Sequence, residues 1–203
     1  MRALLELVSR YDALVFSDEI HSPLVLGGRD FVSYARMGAE FASHTITATA
    51  ATKGWNIAGL PNAQVIIPDE GLRERWDGIC QEKLPHSMST IGALGSIEAY
   101  TNGDEWQREI FEVLEGNIRT VSEALASTKI DFHPPQATYL TWWGFEAYPQ
   151  FGDSPASVLL ERAHIAVNAG ITLGADYSKW ARMNLACPPK VVEDMLSRVM
   201  DVL

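Results

Sequence analysis

The stretch "TATAATKGWNIAGLP", residues 47–61, completes an alternating pattern and carries a single charge, on Lys53. From Thr45 to Thr49 hydroxyl side chains alternate with apolar ones, which is typical of a half-buried strand. A surface lysine usually has polar neighbours, whereas Lys53 follows small and apolar residues. Two interpretations stay open at this point. Lys53 is either a lysine that reaches water from a strand-to-loop junction or an amine withdrawn from water for chemistry.

Helical and strand patterns alternate along the rest of the chain, which predicts an α/β organisation. Strands are predicted at 13–19, 44–50, 63–67, within 133–145 and at 180–187. Helices are predicted at 2–12, 69–84, 87–100, 106–125, 154–166 and 188–203. Ser154 is predicted to cap its helix, with Pro155 at the first helical position. A boundary inside the long helix after Asn102 and Gly103 divides the chain into residues 1–103 and 104–203.

Composition and charge exclude several classes of protein. The 203 residues are 47% apolar, an ordinary globular balance, and carry a formal net charge of −10. That charge argues against a nucleic acid or an anionic membrane as partner, because both require basic patches. No run of about 18 apolar residues occurs, so no membrane span is expected. Cys80 and Cys187 lie outside any metal-ligand spacing, which favours no metal site and two reduced cysteines in a cytoplasmic protein.

Functional groups in an open α/β sheet gather beyond the carboxyl ends of the strands. "FSDEIH", residues 16–21, places Asp18 and His21 at one such end, and Lys53 follows another. Arg182 begins "RMNLAC" much later in the chain. Each has an ordinary explanation: Asp18 as a turn cap, His21 as a hydrogen-bonded histidine, Arg182 as a surface charge. Together, a carboxylate, an imidazole, an amine and a guanidinium suit cofactor chemistry.

Four stretches carry a resemblance to a known family: "SDEIH", "TKGWNIAGL", "ATYLTWW" and "RMNLACP", in this order along the chain. They resemble fold-type I pyridoxal 5′-phosphate (PLP) enzymes of the class I/II aminotransferase superfamily, in the MalY/PatB-type cystathionine β-lyase (C–S lyase) branch. Relatives are nearly twice as long. The resemblance therefore implies a C-terminal half: the later part of the PLP-binding large-domain sheet in residues 1–103, then a small α+β C-terminal domain in 104–203.

The resemblance also implies a role for each candidate residue. Lys53 is expected to be the Schiff-base lysine, and Asp18 to pair with the protonated ring nitrogen of PLP. His21 is expected near the phenolic oxygen of the cofactor and Thr52 at its phosphate. Arg182 is expected to bind the α-carboxylate of the substrate, for which a planar guanidinium is suited.

Two positions depart from the pattern of the family. Ala50 stands where many relatives carry a phosphate-binding serine, three residues before the lysine. Pro61 stands where many aminotransferases carry a phosphate-binding arginine. Phosphate binding is therefore expected to depend on other groups, including groups from the N-terminal half of the family fold.

The resemblance implies β-elimination on a sulfur amino acid, with a small amino-acid substrate and a homodimer. An aminotransferase is the near alternative, because the same residues serve both reactions. The preference for a lyase depends on similarity to that branch alone. An alternative of another class is a truncated, catalytically silent homologue with an interaction or regulatory role.

Overall fold

The structure, a computed structural model, describes residues 1–80 and 88–203. Its α-helices are α1 (Arg2–Arg10), α2 (Ala39–Ala42), α3 (Ala51–Gly54), α4 (Glu70–Cys80), α5 (Thr90–Asn102), α6 (Asp104–Leu125), α7 (Pro155–Ala163) and α8 (Pro189–Val202). Its strands are β1 (Val15–Asp18), β2 (Thr45–Thr49), β3 (Gln64–Ile66), β4 (Asp131–Phe132), β5 (Leu140–Gly144), β6 (Asn168–Ala169) and β7 (Trp180–Asn184). The predicted α/β fold class is confirmed. Among these helices, none has the length and hydropathy needed to cross a bilayer.

The chain divides into two compact units, residues 1–108 and 109–203, and the division falls within α6. The first unit contains a three-stranded sheet and the second a four-stranded sheet. The assignment of residues 1–103 to a large domain and of 104–203 to a small domain stays a prediction.

The sheet of the first unit has the strand order β1-β2-β3. β1 and β2 are parallel, with Val15 opposite Thr45 and Asp18 opposite Ala48. β3 runs antiparallel to β2 and pairs Gln64 with Thr49. Because β1 and β2 run in the same direction, their carboxyl ends lie at the same edge of the sheet.

The connection from β1 to β2 is held by aromatic packing and by hydrogen bonds, among them one between Tyr34 and His44. Phe41 is fully buried and Tyr34 is 4% exposed. Their rings meet edge to face with centroids 5.0 Å apart, an arrangement that aromatic quadrupoles favour. The Tyr34 hydroxyl lies 2.9 Å from Nε2 of His44, just before β2. Burial raises the pKa of Tyr34 above its ordinary value because it disfavours the phenolate.

The sheet of the second unit has the order β4-β5-β7-β6, and each neighbouring pair is antiparallel. Alternate residues of β5 and β7 are buried, as expected for strands with one face on the core. The most deeply buried side chains of this unit include Trp143 in β5, Met183 in β7, Leu185 just after β7, Leu159 in α7, and Val192 and Val199 in α8.

One buried amide joins α6 to the end of β7. Asn117 is 1% exposed, and its Nδ2 donates to the carbonyl oxygens of Leu185 and Cys187, each at 2.9 Å. Both carbonyls belong to residues that follow β7, so the side chain of Asn117 fixes the chain just beyond this strand. Cys80 and Cys187 are free thiols, and burial raises the pKa of Cys187.

Several predicted boundaries need correction. The helix predicted to reach residue 166 ends at Ala163, followed by His164 in the left-handed conformation. The strand predicted to follow a turn within 133–145 is confirmed as β5, Leu140–Gly144. Ser154 is the N-cap residue, as predicted, but its hydroxyl bonds that of Ser157 at 2.8 Å and no backbone amide. The helix predicted at 69–84 is confirmed to Cys80; residues 81–84 lie outside the described ranges.

Candidate functional site

Asp18 and Lys53 lie at the same edge of the first sheet. Asp18 is the last residue of β1 and pairs in register with Ala48 of β2. Lys53 lies five residues after Ala48 in the chain, in the short helix α3. The Asp18 side chain is exposed, and its Oδ1 accepts a hydrogen bond from the amide of Ile20 at 3.2 Å. The turn role that the sequence allowed for Asp18 is therefore present.

Lys53 is held between buried neighbours. Ala51, Thr52 and Gly54 are buried, whereas Lys53 itself is half-buried. Within the described ranges, no side-chain hydrogen bond or ion pair joins Lys53 to another residue. One sequence interpretation placed Lys53 at a strand-to-loop junction, whereas the structure places it in the short helix α3 that follows β2. Its amine is available to a ligand at this edge.

The lysine helix packs against the turn that follows His21. That turn is a 3-10 helix, Ser22–Leu24, with half-buried His21 at its N-cap position. A Cβ added to Gly54 would come within 2.8 Å of Pro23 Cβ. Gln107 Nε2 also donates to the Pro23 carbonyl at 3.2 Å. The structure thus brings the His21 turn and the Lys53 helix into contact.

The chain after Lys53 is fixed by contacts that the sequence did not predict. Trp55 Nε1 donates to the Gly103 carbonyl at 3.2 Å, and its ring meets Tyr100 edge to face at 5.1 Å. The Tyr100 hydroxyl donates to Gln64 Oε1 at 3.3 Å. Burial raises the pKa of Tyr100, and a hydrogen bond with Thr49 lowers it in part. These contacts link the lysine segment to α5 and to β3.

Glu19 carries a buried carboxylate that the sequence alone did not identify as part of the site. Its Oε1 accepts from the hydroxyls of Ser17 and Ser33, each at 2.9 Å. Its backbone amide donates to the Ala48 carbonyl at 2.8 Å, and its carbonyl accepts from Thr49 Oγ1 at 3.3 Å. The position of an acidic residue directly after the aspartate that ends β1 could have drawn attention to Glu19. Its bond to Ser33 could not be predicted, because Ser33 lies fourteen residues further along the chain.

Arg182 belongs to the second unit, in β7. Its Nη2 donates to Asn168 Oδ1 at 3.1 Å, across the β6–β7 pair. Its Nε is buried and has no hydrogen-bond partner in the described ranges. A buried donor without a partner costs free energy, so a carboxylate ligand at this guanidinium would satisfy it. Arg182 lines a groove of about 560 Å³, together with Asn168, Asn184, His164, Asp194 and Arg198.

Aromatic rings lie beside Arg182 on the second sheet. Trp142 is directly opposite Arg182 in the β5–β7 register. Its ring stacks on Trp180 with centroids 5.7 Å apart and an interplanar angle of 16°. Tyr177 meets Trp142 edge to face at 5.3 Å. The arginine therefore lies at the border of an apolar, aromatic surface.

An α/β protein with a lysine and an aspartate at the carboxyl edge of parallel strands belongs to the class of folds that bind ligands at such an edge. The class I and II aminotransferase family model matches residues 1–199. The chain belongs to this family.

Named relatives are similar to the chain over nearly its whole length. Cystathionine beta-lyase of Corynebacterium glutamicum is 30% identical over 203 residues, 100% of this chain and 54% of that protein. Cystathionine beta-lyase PatB of Bacillus subtilis (strain 168) is 29% identical over 197 residues, 96% of this chain and 51% of that protein. The chain therefore spans about half the length of the curated relatives it matches.

A solved structure extends the similarity to three dimensions. Cystalysin from Treponema denticola, whose crystal structure contains pyridoxal 5′-phosphate, matches with a TM-score of 0.91 and 26% identity. The match covers 99% of this chain and 52% of cystalysin. The fold of the chain is thus that of about half of a PLP-binding relative.

Proposed function

We propose that this chain carries the lysine and the ring-nitrogen aspartate of a PLP-dependent C–S β-lyase that acts on sulfur amino acids such as cystathionine. One observation carries the proposal: Lys53 is half-buried after β2, at the sheet edge where Asp18 ends the parallel strand β1. The similarity to two cystathionine beta-lyases supports the choice of reaction. Residues 1–103 are proposed to belong to the cofactor-binding domain and 104–203 to the smaller one.

The donor set fits PLP. Lys53 would hold the cofactor through Nζ, and the Asp18 carboxylate would hold its ring nitrogen in the protonated form. At an effective dielectric of about 20, opposite charges near 4 Å attract by roughly 4 kcal/mol. His21 would lie at the phenolic oxygen and Thr52 at the phosphate. When bound, PLP supplies an electron sink for a carbanion at the substrate α-carbon.

The remaining work falls to side chains of this chain. Arg182 is proposed to bind the α-carboxylate of the amino acid, because its buried Nε lacks a partner and Asn168 holds Nη2. Lys53 Nζ, released when the amine of the substrate takes its place, is proposed to take the proton from the substrate α-carbon as a general base. A thiolate then leaves the β-carbon, and hydrolysis of the product yields pyruvate and ammonia.

An aminotransferase is the alternative reaction, and the family description supports it. The two reactions differ in what they require. A lyase forms pyruvate from cystathionine without any keto acid, whereas a transferase needs a keto-acid acceptor. Pyruvate that forms only after an acceptor is added would contradict the lyase proposal.

Cofactor binding is tested by adding PLP to the purified chain and recording its absorbance. We expect a band from lysine-bound PLP in the wild type and its loss in Lys53→Ala. Borohydride reduction and peptide mapping should then label Lys53, with Lys129→Ala as a matched control that keeps the band. A wild type that stays colourless would support the catalytically silent homologue instead.

The assembly is proposed to be a homodimer in the cytoplasm. Family resemblance supports the homodimer, and two free cysteines fit a reducing compartment. Light scattering on the purified protein measures the mass of the assembly directly. A mass equal to one chain at micromolar concentration would contradict the dimer.

A further inference from the structure

We propose that Glu19 is a positioning residue that fixes the direction of the Asp18 side chain toward the cofactor. This inference rests on the proposed function. Asp18 and Glu19 are consecutive in the chain, but the Asp18 side chain is exposed whereas Glu19 is buried, at 9% exposure. Successive side chains in an extended segment point to opposite faces. Anchoring Glu19 on the inner side therefore determines where Asp18 points on the outer side.

Four hydrogen bonds anchor Glu19 on three different segments. Its carboxylate accepts from Ser17 in β1 and from Ser33 in the connection to β2, each at 2.9 Å. Its backbone amide and carbonyl bond Ala48 and Thr49 of β2 at 2.8 and 3.3 Å. The carboxylate thus ties the β1–β2 connection to the residue next to Asp18, and the backbone extends strand pairing past the end of β1.

The anchor matters because Asp18 itself is held weakly. Its carboxylate accepts a hydrogen bond from the amide of Ile20 at 3.2 Å, in an exposed turn. A residue that must face a cofactor atom requires placement to within about 0.5 Å, which surrounding contacts supply. In the described part of the chain the Glu19 carboxylate bonds Ser17 and Ser33, and neither Lys53 nor Asp18, so its effect on Asp18 passes through the backbone.

Hydrogen exchange on the cofactor-free chain tests the anchor. In Glu19→Ala we expect the backbone amides at positions 19 and 20 to exchange about tenfold faster, because the carboxylate that holds this segment to Ser17 and Ser33 is lost. Glu19→Gln keeps an acceptor oxygen and should stay within about threefold of wild type. Ser33→Ala removes one donor only and should give a smaller effect in the same direction. Glu6→Ala, an exposed glutamate on α1, is the matched control.

PLP titration separates positioning from mere stability. We expect Glu19→Ala to bind PLP about tenfold more weakly and to shift the pH midpoint of the bound-cofactor absorbance, with Glu19→Gln restoring both. Ser33→Ala provides the same readouts should Glu19→Ala fail to fold. Unchanged exchange at Glu19 and Ile20 overturns the anchor. A folded Glu19→Ala variant that keeps the wild-type PLP affinity and the wild-type pH midpoint overturns the positioning role alone. A wild-type protein that binds no PLP overturns both the proposed function and the positioning role.

Discussion

Gly54 lies directly against Pro23, so that a Cβ built on the glycine would come 2.8 Å from Pro23 Cβ and 3.1 Å from its Cγ. Real Cβ atoms essentially never come within 3.0 Å of another heavy atom, so the first of these contacts would force a shift. The residue after Lys53 is therefore a glycine because the turn after His21 occupies the space. This contact couples two segments that both carry candidate cofactor ligands.

Gly54→Ala is expected to lower the free energy of unfolding by about 1–3 kcal/mol, the usual cost of overpacking. It should also weaken PLP binding, because α3 must move away from Pro23 and carries Lys53 with it. Chemical denaturation and PLP titration measure the two effects. Gly59→Ala is the matched control, since a Cβ there meets nothing within 4 Å. Equal stability and affinity in both variants would contradict the coupling.

Asn117→Ala is expected to destabilise the second unit by about 2–4 kcal/mol. The substitution leaves two carbonyls beyond β7 without their donor. The bond to Leu185 is buried and the bond to Cys187 is partly buried, and a fully buried unsatisfied group costs about 1–3 kcal/mol. Urea denaturation gives the change in free energy. Asn102→Ala removes only an exposed bond to Glu98 and should stay within about 0.5 kcal/mol of wild type. A similar small change in Asn117→Ala would show that the two bonds contribute little.

The strands that carry the candidate site were predictable because their sequences alternate or end in carboxylates. The rule that functional groups gather beyond strand ends also predicted that Asp18 and Lys53 belong to such ends. Register was not predictable: Asp18 lies opposite Ala48 only because β1 and β2 pair in parallel. The roles of these residues toward PLP stay predictions.

Contacts between distant segments could not be predicted from one sequence. Glu19 and Ser33 are separated by fourteen residues without a pattern that joins them. Asn168 lies in β6, a strand of two residues, which is too short to produce a period. The polar partners of a site are therefore the part that only the structure supplies, because tertiary packing and not local propensity brings them together.

Arg182→Lys is expected to raise the KM for the amino-acid substrate about 10- to 100-fold while kcat changes less. Lysine keeps the charge but loses the planar fork, and a hydrogen bond to a charged group contributes about 1.5–3 kcal/mol. Steady-state kinetics on cystathionine separates the two parameters. Arg119→Lys, an exposed position on α6, is the control. An unchanged KM would contradict the carboxylate role of Arg182.

Stability is expected to fall as the pH rises above about 10, the ordinary pKa of tyrosine, and Tyr34 is one cause. Burial raises the pKa of Tyr34 in the folded protein above the unfolded value of 10.0. Between these two pKa values the folded state keeps a proton that the unfolded state has lost. The contribution of Tyr34 to stability is therefore fully present below the unfolded-state pKa. It is lost as the pH rises through the folded-state pKa. Tyr34→Phe should reduce this loss of stability with pH, although it also removes the bond to His44.

Burial also raises the pKa values of Tyr100 and Tyr139, so some dependence of stability on pH remains in Tyr34→Phe. Urea denaturation from pH 8 to 11 gives the slopes, and an equal slope in Tyr34→Phe and wild type would contradict the assignment.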